Sequence, residues 1–220
     1  MQEIVSRALA QDVALREVHQ GYLYDFILTV EKLDGAGRVT NSHKTETTMR
    51  TQKEISYEVE TIEDPAARKR VHKAQKTMAV MNLKKLAPRF ELSLAGEETI
   101  QDIPCYKVHF APKKNQPYDS REEKVVNALE GDFWIAQDSS NIIRSQGNLH
   151  HPVEIAWFFA TMKKLNFEYV TQQISGEPFP ARFNLSYDVQ AAMVLVRRHE
   201  ISEMKNYRSE VLLKHSSGGN

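Results

Sequence analysis

The sequence predicts a mainly β protein of the α+β class. A large curled antiparallel sheet would form an incomplete barrel, with helices plugging or covering its concave face. From Tyr22 onward, apolar and polar residues alternate with a period of two in about ten stretches, which is typical of half-buried strands. Short turn sequences separate these stretches, and helical signals are few. A sheet of this width twists and must curl or split into two sheets.

The chain has 220 residues, a length that one large β domain can reach. No linker-like stretch divides it, so residues 1–210 are predicted to form a single domain. Residues 211–220 end in Ser-Ser-Gly-Gly-Asn and are expected to be a disordered tail. The N-terminus has neither the basic region nor the apolar core of a signal peptide. For an envelope protein, the signal peptide would therefore have been removed before this numbering begins.

The N-terminal part is predicted to contain one helix and three strands. Residues 2–19 carry apolar side chains at helical spacing. Alternation with period two then begins at Tyr22, and a glycine-rich turn at 34–37 ends the first strand. Residues 38–50 read as a polar, threonine-rich strand, and 54–62 as a third strand.

A second helix is predicted over residues 65–86. Asp64 is suited to cap its N-terminus, and Pro88 ends it. The basic run at 68–76 is interpreted as a solvated helix face or as a contact for anionic lipid headgroups or an acidic partner. The second half is rich in methionine, and thioether side chains adapt to variable apolar shapes at little cost. The helix is therefore a candidate plug or lid. Its candidate lid residues are Met78, Met81 and Leu83.

The middle of the chain is predicted to hold two strands, at 90–95 and 103–111, and a short helix over 120–129. The helix opens with Ser120 followed three residues later by Glu123, the pattern of a capping box.

A β-hairpin is predicted next, with arms at 132–136 and 142–149 joined by the turn 138–141, whose sequence is Asp-Ser-Ser-Asn. Phe133 and Ile135 would lie on one face of the first arm, and its alternate residues on the other.

The C-terminal part is predicted to be a meander of strands. The predicted strands are 153–161, 165–172, 180–189 and 191–204, with turns at 162–164 and 176–178. The first of these strands contains Trp157-Phe158-Phe159, which is apolar all round and equally compatible with a short helix.

Composition excludes several classes of protein. Lys plus Arg and Asp plus Glu both number 29, so the formal net charge is +0 and a nucleic-acid partner is not indicated. No apolar run is long enough to span a membrane as a helix. With Cys105 as the one cysteine, an intramolecular disulfide is impossible.

No motif predicts an enzyme, a metal site or a cofactor. His150 and His151 are adjacent on a strand or loop, so they point to opposite sides. Cys105 and His109 are four residues apart on one strand face, beyond the reach of a nucleophile–base pair. Gly-x-Ser-x-Gly, phosphate-binding glycine loops and Cys-x-x-Cys are absent from the sequence.

The candidate ligand-binding residues are the apolar side chains on the predicted inward face of the strands. They are Tyr24, Phe26, Leu28, Tyr57, Phe90, Leu92, Tyr106, Val108, Phe110, Phe133, Ile135, Trp157, Phe167, Tyr169, Phe183 and Tyr187. Alternation alone indicates only that they point inward. They therefore form either the lining of a lipid cavity or a core beneath helices.

Two stretches and a late tripeptide carry a resemblance to a known family. They are Ile103-Pro104-Cys105-Tyr106-Lys107-Val108-His109-Phe110-Ala111-Pro112-Lys113, Leu129-Glu130-Gly131-Asp132-Phe133-Trp134-Ile135-Ala136, and Asn206-Tyr207-Arg208. The chain resembles the outer-membrane lipoprotein-sorting-like proteins, whose relatives are the carrier LolA and the receptor LolB. In that family a Gly-x-x-Cys/Ala-Tyr-x-x-x-Phe-x-Pro-Lys strand precedes a Leu-x-Gly-x-x-Trp-Ile-Asp hairpin. The resemblance implies a periplasmic half-barrel whose apolar cavity shelters acyl chains during transit through water.

Two functional hypotheses follow. The first is a non-enzymatic carrier of the cell envelope that binds lipid or lipoprotein acyl chains, with the helix at 65–86 as a moving lid. The second is a structural or sensory interaction domain with a plugged cavity, whose partner is another envelope protein.

Overall fold

A computed structural model describes residues 1–52, 55–58, 62–80, 87–156 and 160–209. Its helices are α1 (Gln2–Val18), α2 (Pro65–Val80) and α3 (Arg121–Val126), with a 3-10 turn at Ala87–Arg89. Its strands are β1 (Tyr22–Leu33), β2 (Val39–Gln52), β3 (Ile55–Glu58), β4 (Phe90–Ile100), β5 (Ile103–Pro112), β6 (Leu129–Ala136), β7 (Ile142–Leu149), β8 (Val153–Ala156), β9 (Ala160–Ile174), β10 (Glu177–Ala191) and β11 (Val194–Ser209).

These strands form one antiparallel sheet in the order β3-β2-β1-β11-β10-β9-β7-β6-β5-β4, and β8 pairs with β9. The long pairing of β1 with β11 joins the two ends of the chain in the middle of the sheet. Over the described ranges the sheet does not close on itself, since β3 and β4 stand at its two ends. The predicted fold class, an incomplete barrel with helices over its concave face, is confirmed.

The hydrophobic core lies between the concave face and the helices. Val5 and Ala8 of α1 and Val125 and Val126 of α3 are buried against side chains of β4 to β6, β9 and β10. The predicted capping box is present on α3, where the Glu123 backbone N–H donates to Ser120 Oγ at 3.1 Å. Glu123 Oε2 accepts from an amide just outside the helix at 2.9 Å, so the helix start is satisfied on both sides.

Helix α2 covers the other part of the concave face, along β1, β2 and β11. Asp64 caps it as predicted, accepting from the Ala66 and Ala67 amides at 2.9 and 3.2 Å. Its stripe toward the sheet consists of Ala67, Val71, Ala74 and Met78, at helical spacing. The predicted extension of this helix to Leu86 lies outside the described residues.

The hairpin β6–β7 forms where the sequence predicts it. Phe133 and Ile135 join the core on the concave face. Trp134 and Ala136 lie on the opposite face in a separate small cluster with Cys105. The alternation of this arm is therefore confirmed in register as well as in period.

Two predicted turns are wrong. Residues 162–164 lie inside β9, where Met162 pairs with Val189 and Lys164 with Asp188. The extra residue between these pairs makes a bulge, which the two lysines resembled as a turn. The turn predicted at 176–178 is shorter, since Glu177 and Pro178 already pair within β10.

Several strand bounds also differ from the prediction. Strand β4 runs on to Ile100, past the predicted end at residue 95, through a bulge at Gly96. The stretch predicted as one strand at 153–161 is β8 and the start of β9, and residues 157–159 lie outside the described parts of the chain. None of the helices in the described residues is both long and apolar enough to cross a bilayer.

Candidate functional site

A row of side chains crosses the concave face at the level of two glycines. Phe110 of β5 pairs with Gly131 of β6, which pairs with Gly147 of β7, which in turn pairs with Phe167 of β9. The rings of the two phenylalanines lie over the glycines and approach each other to 6.5 Å between centroids. Glycine is required at both places because the rings and the neighbouring backbone occupy the space of a side chain.

The aromatic row continues to both sides of this pair. Phe110 lies 5.0 Å from Phe90 and 4.7 Å from Phe133, and Phe167 lies 6.4 Å from Phe183, between ring centroids. All five phenylalanines are buried. The concave face therefore carries a continuous aromatic floor across β4, β5, β6, β9 and β10.

A second apolar area lies beneath α2. Tyr24, Phe26 and Leu28 of β1 are buried there, together with Met49 and Met204. Burial raises the pKa of Tyr24 to about 12, against a smaller opposing effect of the Ser56 hydrogen bond. This area is thus uncharged at physiological pH and suits apolar contacts.

One polar cluster ties α2 to the sheet. Tyr187 of β10 donates its hydroxyl to Glu200 Oε1 of β11 at 2.6 Å, and Lys73 of α2 lies 3.3 Å from the same oxygen. Glu200 is only 6% exposed. Burial lowers the pKa of Lys73, but the oxygens of Tyr187 and Glu200 outweigh that effect and raise it overall. The charge pair is therefore kept at neutral pH.

The end of α1 covers the start of β10. The ring of His19 lies 4.1 Å from that of Phe179, and its Nε2 is buried without a hydrogen-bond partner in the described part of the chain. Burial lowers the pKa of His19. Burial likewise raises the pKa of Tyr169, which lies beneath the same helix on β9. A neutral imidazole at this position fits the apolar surroundings.

The structure brings most of the predicted lining residues together. Buried in the core are Tyr24, Phe26, Leu28, Phe90, Val108, Phe110, Phe133, Ile135, Phe167 and Phe183. Partly buried against it are Leu92, Tyr106, Tyr169, Tyr187 and Met78. Tyr57 lies in β3, and Trp157, Met81 and Leu83 fall outside the described residues. Whether any of these residues touches a ligand remains a prediction.

The paired glycines and the Lys73–Tyr187–Glu200 cluster were not predicted as site residues. A signal for the glycines exists, because Gly131 and Gly147 sit inside strands, nearly symmetric about the hairpin turn. The polar cluster joins three distant elements and has no local signal.

The opposite face of the sheet carries a charged network around Trp134. Its indole nitrogen donates to Glu98 Oε2 at 2.8 Å, and Lys107 and Arg144 lie 5.2 and 5.0 Å from its rings. The Lys107 ammonium and the indole N–H lower the pKa of Glu98. This network braces the outside of the sheet and leaves the concave face apolar.

A groove of about 530 Å³ opens between the β4–β5 turn and strands β9 to β11. Its lining is largely polar and includes Gln101, Gln172, Arg182 and Lys205. None of its residues belongs to the predicted lining. Among the residues described, no group of three or more His, Cys, Asp or Glu side chains is placed to hold a metal ion.

No protein-family model matches the chain, and no curated protein matches it. Three solved structures match over most of their length. A DUF1329 family protein from Desulfovibrio piger has 12% identity, covers 96% of this chain and 93% of its own, and gives a TM-score of 0.47. An outer membrane lipoprotein-sorting protein domain from Vibrio parahaemolyticus has 7% identity, coverages of 94% and 93%, and a TM-score of 0.40. A LolA superfamily protein from Nitrosomonas europaea has 10% identity, coverages of 94% and 92%, and a TM-score of 0.34.

These matches include the family that the sequence resembles, and they agree with the predicted resemblance. Each is a protein to which this chain is similar in fold.

Proposed function

We propose that the protein is a non-enzymatic carrier of the bacterial cell envelope, located in the periplasm, that shelters lipid or lipoprotein acyl chains against its concave face. The observation that supports this is the aromatic floor on an unclosed sheet, covered by helices. Helices packed on a sheet through side chains can leave it without breaking a hydrogen bond of the sheet. The cover is therefore separable from the floor.

Helix α2 is the part of the cover that an acyl chain would displace. Its contact stripe is narrow and made of small or flexible side chains, namely Ala67, Val71, Ala74 and Met78. Exposing that stripe to water costs about 5 kcal/mol, counted per buried methyl or methylene group. An acyl chain of about 14 methylenes gains about 11 kcal/mol on burial. The chain therefore more than offsets the loss of the helix contact.

The polar cluster sets how firmly α2 is closed. Lys73 is 60% exposed along its side chain, so its pair with Glu200 is screened by water and contributes at most about 1 kcal/mol. The lid is accordingly held by weak contacts that a ligand can replace.

The alternative function is an interaction domain on the same fold, with a plugged concave face and an envelope protein as partner. The observation that favours it is the close packing of the floor, where Phe26, Val108 and Phe110 are at most 2% exposed beneath the cover. On this alternative the packed residues are a core, and the polar groove beside the β4–β5 turn is the place for a partner.

Purification without detergent followed by native mass spectrometry, and then titration with a fluorescent fatty acid, separates the two functions. A carrier shows co-purified lipid or a bound probe. The variant Val71→Ala loosens the lid, because Val71 is fully buried under α2, and should raise the affinity for the probe at least about fivefold. The matched control is Val18→Ala on α1, whose side chain is 46% exposed, and it should leave the affinity unchanged.

A mass without lipid that no fatty acid shifts would exclude the carrier. The interaction domain would then be the better description.

A further inference from the structure

The β10–β11 hairpin ends in a strongly exposed apolar tip. Its turn is Ala192–Met193, and Ala191 pairs with Val194 to close it. Met193 is 99% exposed, Val194 62% and Leu195 41%. Val39, on the neighbouring β1–β2 hairpin, is 51% exposed. Exposed apolar residues grouped in this way mark a contact surface, whereas scattered ones do not.

The tip is held in place by the strands around it. Arg197 donates to the carbonyl oxygens of Asp34 and Gly35 in the β1–β2 turn and pairs with Asp188 of β10 at 3.3 Å. The two hairpin ends are thereby tied together. The apolar side chains are presented on a fixed support and do not fold back onto the sheet.

Basic residues surround the tip at the next level. Lys32 pairs in register with Arg198, four residues along β11 from Val194 and thus about 13 Å from it. Lys163 and Lys164 are exposed on β9, on the other side of β10. No carboxylate in the described part of the chain pairs with these four side chains. The nearby acidic groups are already paired, Glu31 with His199 at 3.3 Å and Asp188 with Arg197.

We propose that this tip, residues 191–196 with the flanking basic residues, docks the protein on the surface of an anionic phospholipid bilayer. Apolar side chains enter the boundary between headgroups and acyl chains to about 5–10 Å. Lys and Arg behind them then meet the phosphate groups, and each contributes about fivefold in affinity. The inference rests on the proposed function, because a carrier of acyl chains has to meet the bilayer that supplies or receives them.

The size of the tip favours a bilayer over a protein. A stable protein interface buries about 800 Å² on each partner and needs a matching shape. A two-residue turn with a few apolar side chains is narrower than that. A bilayer requires no matching shape and supplies both the apolar layer and the negative charge.

The test is flotation of the full chain with vesicles of phosphatidylcholine alone and of phosphatidylcholine mixed with phosphatidylglycerol. The protein should float with the mixed vesicles and much less with the neutral ones. Met193→Asp should weaken this binding at least tenfold, because a methionine side chain no longer enters the bilayer. Lys163→Gln with Lys164→Gln should weaken it about tenfold or more. The control Leu94→Asp changes an equally apolar side chain, 50% exposed on β4, and should bind as the wild type does.

Three outcomes would overturn the inference: no flotation of the wild type with either vesicle, binding by Met193→Asp equal to the wild type, or an equal loss in Leu94→Asp. A protein partner that needs Met193 in the absence of any vesicle binding would overturn it too.

Titration with a soluble fluorescent fatty acid separates this inference from the carrier function. Met193→Asp should bind that probe normally. Probe binding without vesicle binding in the wild type rejects the docking tip alone, and vesicle binding through the tip without probe binding rejects the carrier alone.

Discussion

Replacing Gly131 with alanine tests the aromatic floor at its tightest point. A Cβ on Gly131 would fall on the Gln146 carbonyl oxygen, and it would lie 2.6 Å from Gly147 Cα and 2.8 Å from Phe110 Cζ. Two of these three contacts are backbone atoms of the paired strand β7, which cannot move without breaking the ladder. Overpacking of this kind costs about 1–3 kcal/mol. Alanine recovers less than about 1 kcal/mol by restricting the unfolded chain.

We therefore expect Gly131→Ala to lose about 2 kcal/mol of unfolding free energy. Urea unfolding followed by circular dichroism measures it, as a midpoint lowered by roughly 1 M with an unchanged slope. Gly35→Ala is the control, because a Cβ there meets nothing within 4 Å and the backbone is not in the left-handed region. It should stay within about 0.5 kcal/mol of the wild type. A Gly131→Ala protein as stable as the Gly35→Ala protein would refute the close approach of Phe110 to this glycine.

Two further predictions concern α2 and α1. Glu200→Gln removes the charge that faces Lys73, so α2 should dock about 1 kcal/mol less firmly and the fatty-acid probe should bind up to about fivefold more tightly. The control Glu203→Gln, on an exposed pair with Lys205, should leave the affinity unchanged, and equal effects in both variants would exclude the clamp. His19 has a lowered pKa in the folded protein, so the unfolded chain binds the proton first just below the model value of 6.5. The His19 contribution to stability is therefore full above that pH and lost as the pH falls through the folded pKa. His19→Gln should flatten the fall in urea midpoint between about pH 7 and pH 5, and an unchanged slope would contradict the buried neutral ring.

The sequence predicts best what depends on neighbours along the chain. The hairpin β6–β7 was predicted with its faces, because alternation and the Asp138–Asn141 turn are both local signals. The caps Asp64 and Ser120 were predicted for the same reason. The lysines of β9 were misread as a turn because the bulge opposite Asp188 depends on pairing with β10, which the sequence of β9 does not encode.

The candidate site was predicted in part. Alternation placed the five phenylalanines of the floor on the inward face, since inward direction is set by the pleat. It did not place Phe110 and Phe167 in one row, because that depends on the register across four strands. Lys73 and Glu200 meet through the docking of α2 on β11, and each looks like an ordinary surface charge in the sequence.

Hydrogen exchange of the protein with and without a saturating fatty acid tests the carrier account most directly. The account predicts faster exchange in α2, Pro65–Val80, as the lid leaves, together with slower exchange in the strands of the floor beneath it, β1 and β11. Unchanged exchange in α2 and in both strands, at a fatty-acid concentration that saturates binding, would contradict an acyl site between this helix and the sheet.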